Sequence, residues 1–226
     1  RLGVVQTAYA NGASTAYLES ILSKDQIAVA KTGVKHVHHA CAKLFDVGVY
    51  FEANGHGTVL FQSQFYASLA AASMQLWGKS GRAVTALQRL SVLPSLINQA
   101  VGDALSDLLV GDAVLQLQGL DVESWNALYQ DLPSRQGKVL VEDRTMIQTN
   151  NNETKCEAPA ALQAELEAAM AKVQGRAFVR PSGTEDVVRV YAEAPSREQA
   201  DLLATQAADI VHRLCEGTAD VPPSFP

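Results

Sequence analysis

Three short apolar runs, Leu2–Gln6, Ile27–Ala30 and Val47–Phe51, are separated by two segments of helical length and pattern, Ser14–Leu22 and Val34–Phe45. A strand that feeds a helix must cross over before it can pair again, so this alternation predicts a sheet with parallel neighbours and covering helices. In such sheets ligands collect at the carboxyl ends of the strands, which here are the loops Thr7–Gly12, Lys31–Gly33 and Ala53–Gly57. A further strand is expected over Thr58–Phe61. The stretch Gln62–Leu117 then reads as several helices, with breaks near Gly78–Gly81 and Val101–Gly102. Within it Leu105, Leu108, Leu109, Ala113 and Leu117 recur at helical spacing and are expected in the core.

The texture changes between Asp121 and Gly137, and a domain boundary is expected near Asp131–Gln136. Beyond it come a strand (Lys138–Val141), a polar loop (Asn150–Asn152), a helix (Pro159–Val173), two strands (Ala177–Arg180 and Val187–Glu193) and a helix (Ser196–Leu214). Two helices and such strands pack naturally as an antiparallel sheet with both helices on one face. The expected fold is therefore an α/β domain over residues 1–132, a mixed sheet with covering helices, followed by a smaller α+β domain over residues 133–226. Val221–Pro226 reads as a loose tail.

Composition narrows the functions available. The 226 residues are 47% hydrophobic and 19% charged, which excludes a disordered chain. Eighteen Lys and Arg against 24 Asp and Glu give a net charge of −6, which argues against a nucleic acid or an anionic membrane as partner but leaves room for a local anion site. No apolar run approaches the ~20 residues of a membrane span. Three well-separated cysteines with no C-x-x-C pair suggest neither a disulfide framework nor a zinc knuckle, and fit a reducing cytoplasm. The chain starts at Arg1 rather than Met and reads as a piece of a longer protein.

Two segments stand out chemically. Arg180-Pro181-Ser182-Gly183-Thr184-Glu185-Asp186-Val187-Val188-Arg189 is a tight turn between strands with an arginine at each end. Ser182 and Thr184 offer hydroxyls, Gly183 lets a backbone amide approach, and the guanidinium forks of Arg180 and Arg189 suit phosphate oxygens. The competing reading is a β-turn whose arginines pair with Glu185 and Asp186. In Phe51-Glu52-Ala53-Asn54-Gly55-His56-Gly57, the polar residues Glu52, Asn54 and His56 alternate, so an extended segment would present all three to the hydroxyls of one sugar. As an imidazole, His56 could also move protons as acid or base. The competing reading is a hairpin in which Asn54-Gly55 is turn chemistry. Thr32-Gly33-Val34-Lys35-His36 opens a helix whose first amides, at Gly33, together with Lys35 attract anions. His36, His38 and His39 lack a neighbouring carboxylate, which points away from a metal site there.

Taken together, these two motifs, with Gly3–Gly12, Thr32–His36 and Val188–Glu193, resemble the α-D-phosphohexomutase superfamily over essentially the whole chain. The resemblance implies the third and fourth of four domains. Glu52, Asn54 and His56, with Gly33 and Lys35, would recognise the sugar, and Arg180, Ser182, Gly183, Thr184 and Arg189 the phosphate. Glucose- and mannose-phosphate members carry Ser where this chain has Asn54, so the likeness favours an N-acetylated sugar. It implies interconversion of N-acetylglucosamine 6-phosphate and 1-phosphate through a sugar bisphosphate, a step toward UDP-N-acetylglucosamine. A phosphoserine and a Mg²⁺ site would lie in N-terminal domains absent from these residues, leaving the fragment inactive alone. A glucose or mannose phosphate mutase and a non-catalytic sugar-phosphate module remain the alternatives.

Overall fold

A computed structural model describes residues 1–218, and the expected loose tail at Val221–Pro226 lies outside the described residues. In chain order the elements are β1 (Leu2–Thr7), α1 (Gly12–Ile21), β2 (Ile27–Ala30), α2 (Val34–Leu44), β3 (Val47–Phe51), β4 (Gly57–Phe61), α3 (Ser63–Gln75), α4 (Arg82–Leu96), α5 (Ala104–Gln118) and α6 (Val122–Asn126). Then follow β5 (Ser134–Leu140), β6 (Gln148–Thr149), β7 (Cys156–Ala158), α7 (Ala160–Val173), β8 (Arg176–Pro181), β9 (Val187–Glu193) and α8 (Arg197–Leu214). They form two compact units. One comprises Arg1–Thr7 and Leu18–Leu128; the other comprises Ala8–Tyr17 and the residues from Tyr129 onward.

The first unit is built on a mixed sheet of order β2-β1-β3-β4, in which β1 runs parallel to both neighbours and β4 returns antiparallel to β3. Val37, Cys41 and Phe45 from α2 and its end pack on Val5, Tyr50 and Leu60 of the sheet to form its core. Each such side chain contributes about 1.5–3 kcal/mol on leaving water. The chain after α4 is tied to the edge strand by Thr58, whose hydroxyl donates to the Asn98 carbonyl at 2.7 Å, and by Phe61 N–H donating to Gln99 at 3.0 Å.

The expected core face of α5 is overturned. Leu105, Leu108 and Leu109 are 74%, 67% and 70% exposed, while Ser106, Asp107 and Val110 occupy the more sheltered side. Helical periodicity reports that one face is apolar and says nothing of what covers it. In α3 to α6, among the described residues, no side chain is buried.

The second unit carries a three-stranded antiparallel sheet, β5-β9-β8. Along β9 Val188, Val190 and Ala192 turn to the helices, meeting Leu162, Leu166 and Val173 of α7 and Leu203 and Val211 of α8. Alanines at 200, 204, 207 and 208 line the buried face of α8 and let it lie close on the sheet. Ser196 caps that helix, accepting from Gln199 N–H at 3.3 Å.

The other sheet face is covered by Ala8–Tyr17. Tyr9 stands edge-on to Phe178 and Tyr191, with ring centroids 5.0 and 5.8 Å away. Among the described residues no helix is long and apolar enough to cross a membrane.

Candidate functional site

The sheet register of the second unit assembles the basic residues. Arg180 on β8 and Lys138 on β5 are both direct cross-strand partners of Arg189 on β9, so three cations from three strands form one row. Like charges set opposite one another across a ladder destabilise it. One buried carboxylate compensates the row in part. Arg180 meets the carboxylate of buried Glu153 at 3.7 Å and donates through Nε to the Tyr9 hydroxyl at 3.3 Å. The side chains of Arg189 and Lys138 have no polar partner among the described residues.

The turn beyond this row is closed by Ser182 N–H donating to the Val187 carbonyl at 2.9 Å. Ser182 is buried and its hydroxyl accepts from Thr184 N–H at 3.4 Å, while Gly183 and Thr184 are exposed. One acidic residue of the turn is engaged elsewhere: Asp186 accepts from Arg144 at 2.9 Å. Neither Glu185 nor Asp186 pairs with Arg180 or Arg189 among the described residues.

Four residues beyond Arg189 along β9, on the same face, lies a buried carboxylate. Glu193, only 2% exposed, accepts from Arg176 Nε at 2.7 Å, from the Tyr191 hydroxyl at 2.7 Å, and from Gly12 N–H at 3.0–3.1 Å. Arg176 also donates to the carbonyls of Ala8 and Ala10 at 2.9 and 2.7 Å. This network straps Ala8–Tyr17 onto the sheet and sets Tyr9 against Arg180. A side chain at position 12 would place its Cβ 2.4 Å from the Glu193 carboxylate oxygen, so only glycine lets the backbone amide approach. Burial, reinforced by the Glu193 bond, pushes the Tyr191 phenol well above its usual range and keeps it a donor.

In the first unit, Glu52–His56 is a hairpin turn between β3 and β4 rather than the extended segment that alternation suggested. Gly55 N–H donates to the Glu52 carbonyl at 2.9 Å, with Gly55 at a φ of 85° that side-chain-bearing residues rarely adopt. The turn chemistry falls on the same residues that were expected to meet a sugar. Asn54 Oδ1 accepts from His56 N–H at 3.0 Å, which leaves its NH₂ to donate outward.

Glu52 Oε1 accepts from Gly33 N–H at 2.9 Å, joining the turn to the first turn of α2, where the helix dipole favours a carboxylate. The structure thus brings Glu52 and Gly33 together, with Lys35 exposed two residues further on and Asn54 and His56 exposed at the hairpin. His38 is engaged structurally, its Nδ1 lying 3.0 Å from the Tyr50 hydroxyl. Among the described residues no group of three or more His, Cys, Asp or Glu is placed to hold a metal ion.

Sequence reasoning missed Tyr9, Lys138, Arg176 and Glu193. Their roles arise from strand register and from contacts between residues up to 181 positions apart. The one available signal was charge alternation along β9, where Arg189 and Glu193 share a face.

The chain thus combines a small α+β unit whose basic turn closes two strands with a mixed-sheet unit that carries a polar hairpin. The family model "Phosphoglucomutase/phosphomannomutase, C-terminal domain" matches residues 137–210. The model "Phosphoacetylglucosamine mutase AMG1, domain III" matches residues 1–120, more than half of the chain, which belongs to the phosphoacetylglucosamine mutase family.

The phosphoacetylglucosamine mutase of Arabidopsis thaliana is 53% identical over 215 residues, 93% of this chain and 38% of the relative. That of Homo sapiens is 50% identical over 226 residues, covering 99% and 41%. Among solved structures, Aspergillus fumigatus N-acetylphosphoglucosamine mutase in complex with GlcNAc-6P and magnesium superposes with a TM-score of 0.86 at 46% identity, over 95% of this chain and 39% of that one. The chain therefore spans about two fifths of the length of the relatives it matches.

Proposed function

We propose that this chain is the sugar- and phosphate-recognition portion of a phosphoacetylglucosamine mutase, with residues 1–132 as its third domain and 133–226 as its fourth. The enzyme interconverts N-acetylglucosamine 6-phosphate and 1-phosphate through a bisphosphate, in the cytoplasm and on the way to UDP-N-acetylglucosamine. The phosphoserine that donates the phosphoryl group and the Mg²⁺ site belong to other domains of the polypeptide. Its partners are those domains and sugar phosphates, with neither nucleic acid nor membrane among them.

The observation that carries this reading is the cation row beside an open Ser-Gly-Thr turn whose Asp186 is engaged by Arg144. Phosphoryl transfer depends on positioning and charge stabilisation. A clamp of Arg180, Ser182, Gly183, Thr184 and Arg189 grips the phosphate that is not reacting and so holds the reacting oxygen in place, converting remote binding energy into rate. The sugar must be accepted in two orientations, so Glu52 and Asn54, aided by His56, Gly33 and Lys35, read hydroxyls that both orientations present. The outward NH₂ of Asn54 supports a donor contact to the acetamido group that Ser would not reproduce.

The test is an NMR titration of the chain with N-acetylglucosamine 6-phosphate, glucose 6-phosphate and inorganic phosphate. The amides of Gly183 and Thr184 are expected to shift with all three, and those of Asn54 and Gly55 only with the N-acetylated sugar. Shifts of Gly183 and Thr184 that are absent with every ligand would refute the clamp.

A further inference from the structure

We infer that Lys138 is a third cation of the phosphate clamp, matching its charge to a phosphate dianion. The inference deepens the clamp reading and rests on it. The argument begins with charge. Arg180 and Arg189 alone supply two positive charges, and the Glu153 carboxylate 3.7 Å from Arg180 offsets one of them. The pair would then present about one net charge to a ligand that carries −1.5 to −2 at neutral pH, as phosphate monoesters do. Lys138 supplies the missing charge from the only strand of this sheet that carries neither arginine.

Geometry agrees with charge. Lys138 is the direct register partner of Arg189, which puts the two side chains on one sheet face. They line one pocket of about 180 Å³ together with Tyr9, Gln136, Gly137 and Val190. Its lining contains no carboxylate, and its wall is the same Tyr9 ring that lies under the Arg180 guanidinium, 5.8 Å from its carbon. One continuous surface therefore runs from Arg180 past Tyr9 to Arg189 and Lys138.

The chemistry suits a division of labour. Arginine forks fix the orientation of a phosphate by paired hydrogen bonds, whereas an ammonium on a flexible stem supplies charge without demanding one geometry. Lys138 is exposed, and its strand neighbour Val139 holds the core position. Replacing Lys138 thus leaves the core of the unit untouched.

The test measures the dissociation constant of inorganic phosphate by NMR titration of the Gly183 and Thr184 amides, in the unaltered chain and in Lys138→Gln, Lys138→Arg and Arg180→Ala. Lys138→Gln is expected to weaken binding about tenfold, the worth of one charge-assisted contact, with unchanged amide spectra elsewhere in the unit. Lys138→Arg is expected to restore most of the loss. Unchanged affinity in Lys138→Gln, with Arg180→Ala weakened, would overturn the role of Lys138 and leave the clamp standing. A loss that Lys138→Arg does not repair would overturn the charge role as well. If neither Lys138→Gln nor Arg180→Ala weakened binding, the clamp itself would fall.

Discussion

Replacing Arg176 with alanine tests the strap at the other end of the strands that carry Arg180 and Arg189. The substitution removes the cation from a carboxylate that is 2% exposed, and strips the Ala8 and Ala10 carbonyls of their donors. Breaking a buried ion pair on one side costs about 3–5 kcal/mol, because the surviving charge stays in a low-dielectric site. Arg176 itself is 37% exposed, so water reaches the vacated space, and Glu193 keeps the Tyr191 hydroxyl and the Gly12 amide. We therefore expect the lower part of that range, about 3 kcal/mol, in urea unfolding followed by circular dichroism. Amide exchange at Gly12 should accelerate in parallel, since that N–H donates to the same carboxylate. A double-mutant cycle with Glu193→Gln should give a coupling energy above about 1.5 kcal/mol. Additive effects, with coupling near zero, would show that Arg176 and Glu193 do not act as one unit and would refute the strap.

In the full-length mutase, Arg180→Ala should lower kcat/KM by about 2–4 kcal/mol, combining a lost charged contact with a mispositioned phosphate; an unchanged kcat/KM counts against its role. Asn54→Ser should reduce the preference for N-acetylglucosamine phosphate over glucose phosphate, read as a ratio of kcat/KM values, and a ratio that stays put removes Asn54 as selector. The thiols of Cys41 and Cys156 should resist a disulfide reagent at pH 8 until the chain is unfolded, because burial pushes them up to about 12 and about 11. The unfolded chain loses those protons first, near pH 9, so the stability these thiols lend is complete below that pH and declines as pH rises toward 12. A urea midpoint that did not fall from pH 8.5 to 10.5 would contradict this.

Much of the architecture was legible because it depends on local pattern. The alternation of Val- and Ile-rich runs with helical segments yields the parallel pairing of β1 with β2 and β3, and Ser196 announces the start of α8. Arg180, Ser182 and Arg189 were legible as residue types around one turn. Lys138 was not, since it joins them only through the register of β5 on β9. Glu193 and Tyr191 share the Arg189 face by alternation yet are buried, because a segment from near the start of the chain covers that end of the sheet. The leucine spacing of α5 was read wrongly as core, for periodicity is a property of one helix and burial belongs to whatever meets it. Exposed apolar surface of this kind marks a place where another surface is expected to sit.

The strap Ala8–Tyr17 also limits how the protein can be divided. The clamp-bearing unit is not one consecutive stretch, so no single cut releases it whole. A fragment starting at Pro133 would open Tyr191 and Glu193 to water and leave Arg180 without Tyr9. During synthesis the strap leaves the ribosome before its sheet and waits for it, since Gly12 and Glu193 lie 181 positions apart. Closure over so long a span makes this a late and slow event in folding. Grafting the phosphate clamp onto another scaffold would therefore require carrying the peptide Ala8–Tyr17 along with it.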